Sequence, residues 1–131
     1  MTDLIEVRVS NLVGEALGWA VGKAEGLDLQ LAPPGYNGVP WRVFARYQGQ
    51  AIEHTKRFNP WEDWALGGPL IDKYKLDLGA PLENKSGPWN ANTEWGHPLG
   101  QKGETALVAV CRAIVAHMLG DTVQVPKELM P

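Results

Sequence analysis

The chain has 131 residues, a formal net charge of −3 and a single cysteine, Cys111. This length predicts one domain over residues 1–131, large enough to bury a core without metal ions or disulfide bonds. The chain has 12 basic and 15 acidic residues. Binding of duplex nucleic acid requires a clustered basic face, so this composition argues against such a partner. No apolar run approaches the roughly 20 residues of a membrane span. The lone cysteine and the opening MTDLIEVRV, which lacks a signal-peptide pattern, predict a cytoplasmic location.

The N-terminal residues predict a strand followed by a helix. In LIEVRV, residues 4–9, apolar and polar side chains alternate as in a half-buried strand. A helical pattern then runs from Asn11 to Glu25, with Ser10 or Asn11 as the cap and Gly26 as the stop. The core-facing stripe of this helix is predicted to contain Val13, Leu17, Ala20 and Ala24.

Three glycines lie along one line of this first helix. Gly14, Gly18 and Gly22 are spaced four residues apart, and each costs up to about 1 kcal/mol relative to alanine in a helix. Because these three glycines destabilise the helix, their alignment predicts that another group approaches the helix closely along that line. The group is either a strand or helix of the same chain or a second subunit, so a homo-oligomer is one of the expectations.

Further strands are predicted near Leu27, Val43, Ala51 and Val123. On the second of these, Arg42, Phe44 and Arg46 share one face, which fits either a solvated strand surface or an anion site. The strongest helical pattern runs from a Thr105 cap to Leu119, with Gly120 as its stop. Because this helix is apolar nearly all round, it is predicted to be central and buried. Together these elements predict a mixed α+β fold with one small sheet packed on two main helices.

The stretch FNPWEDWALGGPLIDKY, residues 58–74, predicts two short helices around a Gly-Gly-Pro turn. Asn59 can cap the first helix, with Glu62 three residues later as in a capping box. Pro69 should end that helix and begin a second one, because proline lacks an N–H and restricts the residue before it. From Gly79 to Gly103 the composition predicts a long irregular region that carries Trp89 and Trp95.

No residue pattern identifies a reaction. The histidines His54, His97 and His117 lie in separate segments without metal-ligand spacing, and no nucleophile elbow, phosphate loop or dinucleotide motif is present. Cys111 lies among apolar residues, where a buried thiol is unreactive. The sequence therefore predicts no catalytic residue, no metal and no cofactor, and it favours a binding protein over an enzyme.

Binding residues are predicted mainly around the Gly-Gly-Pro turn. Trp61 and Trp64, three residues apart, would offer a π surface to a base unless they belong to the core. The free backbone N–H groups at the start of the second helix would donate hydrogen bonds to a phosphate. Arg112, a charge in an apolar helix, would pair with Asp63 or Glu104 or would anchor an anionic ligand. The predicted ligand-binding set is Trp61, Asp63, Trp64, Gly67, Gly68, Leu70 and Arg112.

Three segments of the chain resemble a known family. FNPWEDWALGGPLI resembles the tyrosine-x-Pro-x-x-Asp-Trp-x-x-Gly-Gly-Pro-Leu-Ile motif of the phage NinX-like proteins, with Phe58 in place of the tyrosine. LVGEALGWAVGKAEGL and TALVAVCRAIVAHMLGDTVQVP extend the resemblance to both ends of the chain. The family consists of small tailed-phage accessory proteins, so the resemblance implies a phage origin and a host-cytoplasm setting but no reaction. The matching residues are Pro60, Asp63, Trp64, Gly67, Gly68, Pro69, Leu70, Ile71 and Arg112.

Three functions are compatible with these residues. The first is a phage accessory protein that binds and sequesters a small nucleotide-type ligand, such as a host immune signalling molecule, in an anti-defence role. The second is a protein-protein inhibitor of a host enzyme that uses exposed tryptophans as hot spots. The third is a small nucleotide hydrolase, which would need a carboxylate or His97 in the same pocket.

Overall fold

The structure, a computed structural model, describes residues 3–35, 40–48, 53–81, 87–93 and 100–130. The helices within these residues are α1 Gly14–Ala24, α2 Trp64–Tyr74 and α3 Ala106–Leu119. The strands are β1 Leu4–Arg8, β2 Asp28–Ala32, β3 Arg42–Gln48, β4 Glu53–Arg57, β5 Asp77–Gly79, β6 Trp89–Asn92, β7 Gln101–Gly103 and β8 Thr122–Pro126. The prediction of a mixed α+β fold is confirmed.

Helix α3 is the centre of the core, as its apolar composition predicts. The Thr105 side chain caps it by accepting a hydrogen bond from the N–H of Val108 at 3.2 Å, and the helix ends before Gly120, whose φ is +97°. Helices α1 and α2 and strands β6 and β7 all contact it. Burial raises the pKa of the Cys111 thiol to about 12, so this cysteine stays protonated and unreactive in the folded protein.

The strands form several small antiparallel sheets instead of the single predicted sheet. Strand β1 pairs with β8, while β2, β3 and β4 form a second sheet in that order. A third sheet, β5-β6-β7, lies within residues 77–103, where an irregular region was predicted. Alternation along a strand predicts its buried face but carries no information on its partner, which explains the error. The predicted strand start at Ala51 and the aromatic residue Trp95 lie outside the described residues.

Helix α1 begins three residues later than predicted. Residues Val9–Asn11 form a 3-10 turn, and the helix starts at Gly14, whose φ of +54° is a conformation that favours glycine. The prediction that Val13 belongs to the core-facing stripe was therefore wrong, because Val13 precedes the helix and is 44% exposed. The buried helix residues are Ala16, Leu17, Gly18, Ala20, Val21 and Gly22.

Side chains of the same chain cover Gly18 and Gly22 of the predicted glycine line, whereas a Cβ on Gly14 would meet no described atom within 4 Å. A Cβ placed on Gly18 would lie 2.5 Å from Cζ3 of Trp61, and one on Gly22 would lie 2.6 Å from Cδ2 of Leu29. The close approach predicted for the glycine line is thus made within one subunit at Gly18 and Gly22, and it is not found at Gly14. The homo-oligomer stays a prediction without support from Gly18 and Gly22, and a leucine at Gly18 would disturb folding before it could report on a dimer.

Helix α2 runs without interruption through Gly67-Gly68-Pro69, so the prediction of two short helices was wrong. The cap is Asp63 and not Asn59: its Oδ1 accepts a hydrogen bond from the N–H of Ala65 at 2.9 Å. Pro69 lies inside the helix. The proline ring crowds the Cβ of the residue before it, and Gly68 has none, so the helical conformation survives at that position. The remaining cost is one backbone hydrogen bond and the crowding of the Ala65 carbonyl by the proline ring, which the packing of α2 on α3 offsets.

Two partly buried carboxylates connect α1 to its neighbours. Glu15 accepts hydrogen bonds from the Val43 N–H and from Arg57 Nη2, each at 2.8 Å. At the other end of the helix, Glu25 accepts from Lys73 Nζ at 2.8 Å and from the Tyr74 hydroxyl. Burial and this hydrogen bond to Glu25 raise the pKa of Tyr74. Glu15 therefore joins α1 to the β2-β3-β4 sheet, and Glu25 joins it to α2.

Candidate functional site

The two tryptophans of the predicted site differ in burial. Trp61 lies in the turn before α2, with its ring against Gly18 and the guanidinium of Arg57 at 5.9 Å from the ring centroid. Trp64 is the first residue of α2 and is 58% exposed, the largest exposure among the described large apolar side chains. Trp61 thus packs on the core while Trp64 is available at the surface. The sequence left open which tryptophan is core, and burial decides it.

The glycines and Leu70 of the predicted site lie in the body of α2. The N–H of Gly67 donates to the Asp63 carbonyl at 2.8 Å, as expected within a helix. Gly67 is buried because Pro60 and Leu107 occupy the space where a side chain would lie. Leu70 belongs to the hydrophobic core. There is no second helix start at Pro69, so the predicted phosphate site of free N–H groups at Gly67, Gly68 and Leu70 loses its structural basis.

Arg112 is bound to main-chain oxygens instead of a carboxylate. Its Nε and Nη2 donate to the Leu12 carbonyl at 3.1 and 2.9 Å, and its Nη1 donates to the Lys102 carbonyl at 2.8 Å. Burial lowers the pKa of Arg112, and the nearby charge of Glu104 partly opposes that shift. The predicted pairing with Asp63 was wrong, because Asp63 caps α2. The carbonyls orient the guanidinium without neutralising its charge.

Arg112 lies at the junction of two open clefts. One, of about 420 Å³, is lined by Gly87, Pro88, Lys102, Gly103, Glu104 and Arg112. The other, of about 410 Å³, is lined by Ser10, Gly100, Gln101, Lys102 and Arg112. Both volumes fall within the roughly 300–1,000 Å³ of small-molecule pockets. The second cleft carries two positive charges and no acidic lining residue, so an anion is favoured there.

The predicted residues divide between two surfaces. Gly67 contacts Leu107 of α3, and Arg112 follows five residues later, roughly 140° further around the helix. The residues that line the Arg112 clefts include none of the α2 residues. Lys102 was missed by sequence reasoning: it reaches the site because β7 leads directly into α3, and no local pattern indicates that proximity.

Other kinds of site have little support in the part of the chain that the structure describes. Within it, no group of three His, Cys, Asp or Glu side chains is close enough to hold a metal ion. His117 is exposed near the end of α3, whereas His97 and the side chain of His54 lie outside the description. No helix in the described ranges has the length and apolar character to cross a bilayer.

The fold and the clefts define a small mixed α+β protein with a basic surface site and no recognisable catalytic set among the described residues. The chain belongs to the bacteriophage P22 NinX family: the family model described as "Bacteriophage P22, NinX" matches residues 8–118, well over half of the chain. This match supports the resemblance found in the sequence and a bacteriophage origin. No curated protein matches the chain.

Proposed function

We propose that this phage protein binds a small nucleotide-type molecule in the host cytoplasm and sequesters it, with the Arg112 clefts as the binding site. The observation that carries the proposal is the Arg112 guanidinium, oriented by the Leu12 and Lys102 carbonyls beside a cleft of about 410 Å³ with a second positive charge on Lys102. A phosphate is the ligand group that such paired, oriented donors favour. The Ser10 hydroxyl adds a neutral donor to the same cleft.

Sequestration is favoured over cleavage because the lining residues offer no acid-base pair. Glu104 is the one acidic residue among those that line the two clefts, and general acid-base chemistry commonly uses a second titratable partner. An anti-defence role follows if the ligand is a host immune signal, since binding alone would lower its free concentration. No observation favours the nucleotide hydrolase considered from the sequence.

A panel of linear and cyclic nucleotides should raise the melting temperature of the wild-type protein, because a ligand at 100 times its Kd adds about 2.7 kcal/mol to folding stability. We expect Lys102→Gln to weaken the binding of an active nucleotide about tenfold, the loss of one charge-assisted hydrogen bond. The measurement is isothermal titration calorimetry on both proteins.

The matched control is Lys75→Gln, which removes one charge from the exposed C-terminal end of α2. It should bind the same nucleotide with unchanged affinity. The proposal fails if no nucleotide shifts the melting curve or if Lys102→Gln binds as tightly as the wild type. Conversion of the nucleotide to a product during prolonged incubation would indicate that the protein hydrolyses its ligand instead of sequestering it.

A second candidate function, inhibition of a host enzyme by direct contact, is favoured by the exposure of Trp64. Tryptophan is one of the residue types most enriched at the hot spots of protein interfaces. We expect the wild-type protein to retain a host protein from lysate and Trp64→Ala to lose it, as measured by affinity capture. Leu119→Ala, which truncates another exposed apolar side chain at the end of α3, should retain the partner. Equal capture by wild type and Trp64→Ala would rule out this use of Trp64.

A further inference from the structure

A small polar cavity lies beside the Arg112 clefts, where the end of α3 meets strands β6 and β7. Its volume is about 80 Å³, which is room for several water molecules. The polar side chains that line it are Asn92, Thr93, Gln101, His117 and Asp121. We call it the polar cavity. Because its lining offers both hydrogen-bond donors and acceptors, it suits a polar group better than a hydrocarbon.

Thr93 supplies a buried hydroxyl to the polar cavity. The residue is 6% exposed and is the one buried polar residue in the part of the chain that the structure describes. Its hydroxyl makes no hydrogen bond to another described residue. Since buried polar groups in folded proteins are nearly always hydrogen-bonded, a polar occupant of the cavity, either water or a ligand group, would satisfy this hydroxyl.

Asp121 supplies a carboxylate to the same cavity. It also lines an adjoining cleft of about 170 Å³ together with Arg8, Ser10 and Gln101. Within the described residues, no ion pair or hydrogen bond engages this carboxylate. The Asp121 carbonyl accepts a hydrogen bond from the Val9 N–H at 2.9 Å, which fixes the backbone that carries the side chain. The carboxylate is therefore held in place and free to accept hydrogen bonds from a ligand.

The polar cavity continues into the Arg112 clefts along β7. Gln101 lines the polar cavity, the adjoining cleft and the Arg112 cleft of about 410 Å³, and Ser10 lines the last two. The next residue of β7, Lys102, carries one positive charge of that Arg112 cleft, and Arg112 carries the other. One groove thus has an unpaired carboxylate at one end and two cations at the other.

Among the nucleotide bases, guanine is the one that matches a carboxylate. Its Watson–Crick edge presents two adjacent donors, the ring N1–H and the exocyclic N2 amine, which the two oxygens of a carboxylate accept side by side. Adenine and cytosine each place a ring-nitrogen acceptor beside their single donor group, so a lone pair would face the second carboxylate oxygen. Uracil and thymine present one donor between two carbonyl oxygens, which the carboxylate repels.

We propose that the ligand of this protein contains guanine and that Asp121 selects this base. The inference rests on the proposed nucleotide-binding function and adds the identity of the base. The Asp121 carboxylate accepts from the N1–H and the N2 amine, and the Thr93 hydroxyl donates to O6 of the base. Only the edge of the base enters the polar cavity, because about 80 Å³ does not hold a whole nucleotide. The phosphate lies with Lys102 and Arg112.

The test is isothermal titration calorimetry with the 5′-monophosphates of guanosine (GMP), inosine (IMP), xanthosine (XMP) and adenosine (AMP). We expect the wild type to bind GMP at least about tenfold more tightly than AMP and XMP, since these leave a carboxylate oxygen facing an acceptor. IMP, which lacks the N2 amine, should bind about fivefold more weakly than GMP.

Asp121→Asn should reverse this preference. The asparagine amide accepts from the N1–H and donates to O2 of xanthine, whereas its NH₂ group faces the N2 amine of guanine. We expect XMP to gain and GMP to lose at least about tenfold in affinity. A purely structural role for Asp121 would lower the affinity for all four nucleotides without reversing their order.

Lys102→Gln and Asp72→Asn are the controls. Lys102→Gln acts on the phosphate, so it should weaken GMP and AMP by the same factor. Asp72→Asn removes an exposed carboxylate from α2 and should change neither affinity. Thermal melting checks that each variant is folded.

The outcomes separate the guanine assignment from nucleotide binding itself. The assignment is overturned if GMP binds no more tightly than AMP, if Asp121→Asn does not admit XMP, or if none of the four nucleotides binds. Nucleotide binding survives such a result when another nucleotide of the wider panel raises the melting temperature. If no nucleotide of that panel does so, both proposals fail.

Discussion

Trp61→Ala is expected to lower the free energy of unfolding by about 3 kcal/mol. Truncation of a buried tryptophan costs about 3–5 kcal/mol, and Trp61 falls at the lower end because its ring is only partly buried. The ring covers Gly18 of α1 and also contacts the Arg57 guanidinium. Its removal would leave a cavity between α1 and the turn before α2. The measurement is the urea unfolding curve at constant pH.

Trp64→Ala is the matched variant, with the same change of side chain three residues later. Because Trp64 is 58% exposed, we expect it to change the free energy of unfolding by less than about 1 kcal/mol. The two results together separate a packing tryptophan from a surface tryptophan. A large loss of stability in Trp64→Ala, or none in Trp61→Ala, would contradict the burial pattern on which the second candidate function rests.

Pro69→Ala is expected to stabilise the protein by about 1–3 kcal/mol. Inside a helix, proline removes one backbone hydrogen bond and its ring crowds the carbonyl four residues earlier, at a cost of about 3 kcal/mol relative to alanine. Pro69 is exposed at the sixth position of α2, so alanine restores the bond to the Ala65 carbonyl without loss of core packing. The higher stability should appear as a higher midpoint of the urea unfolding curve, with an unchanged dependence of the free energy of unfolding on urea concentration.

Pro33→Ala provides the control, because Pro33 lies in an exposed segment after β2. There proline restricts the unfolded chain without breaking a helix, so its replacement should lower stability by up to about 1 kcal/mol. If Pro69 instead began a separate helix, Pro69→Ala would also be neutral or destabilising. A gain of stability in Pro69→Ala together with a loss in Pro33→Ala would therefore support a continuous α2.

Part of the candidate site could be predicted from the sequence and part could not. Arg112 was identified because a charge in an apolar helix must find partners, and its hydrogen bonds to two carbonyls meet that need. Lys102, which lines the same cleft, was not identified, because nothing in the sequence shows that a residue of β7 lies close to Ser10. The Gly-Gly-Pro motif was interpreted as a turn because local rules describe proline alone, whereas the preceding glycine and the packing on α3 make a helix possible.

The sequence by itself determined the elements whose signals are local: the Thr105 cap, the Gly120 stop, the buried α3, and the alternation of Arg42, Phe44 and Arg46 with Val43 and Ala45. Caps and periodicity depend on residues within one or two turns, so they can be recognised without the fold. Only the tertiary structure decided that β1 pairs with β8, that Trp61 covers Gly18 while Trp64 is exposed, and that Lys102 joins Arg112. Those contacts depend on how distant segments pack, and burial energy, which no local pattern contains, selects among the possible arrangements.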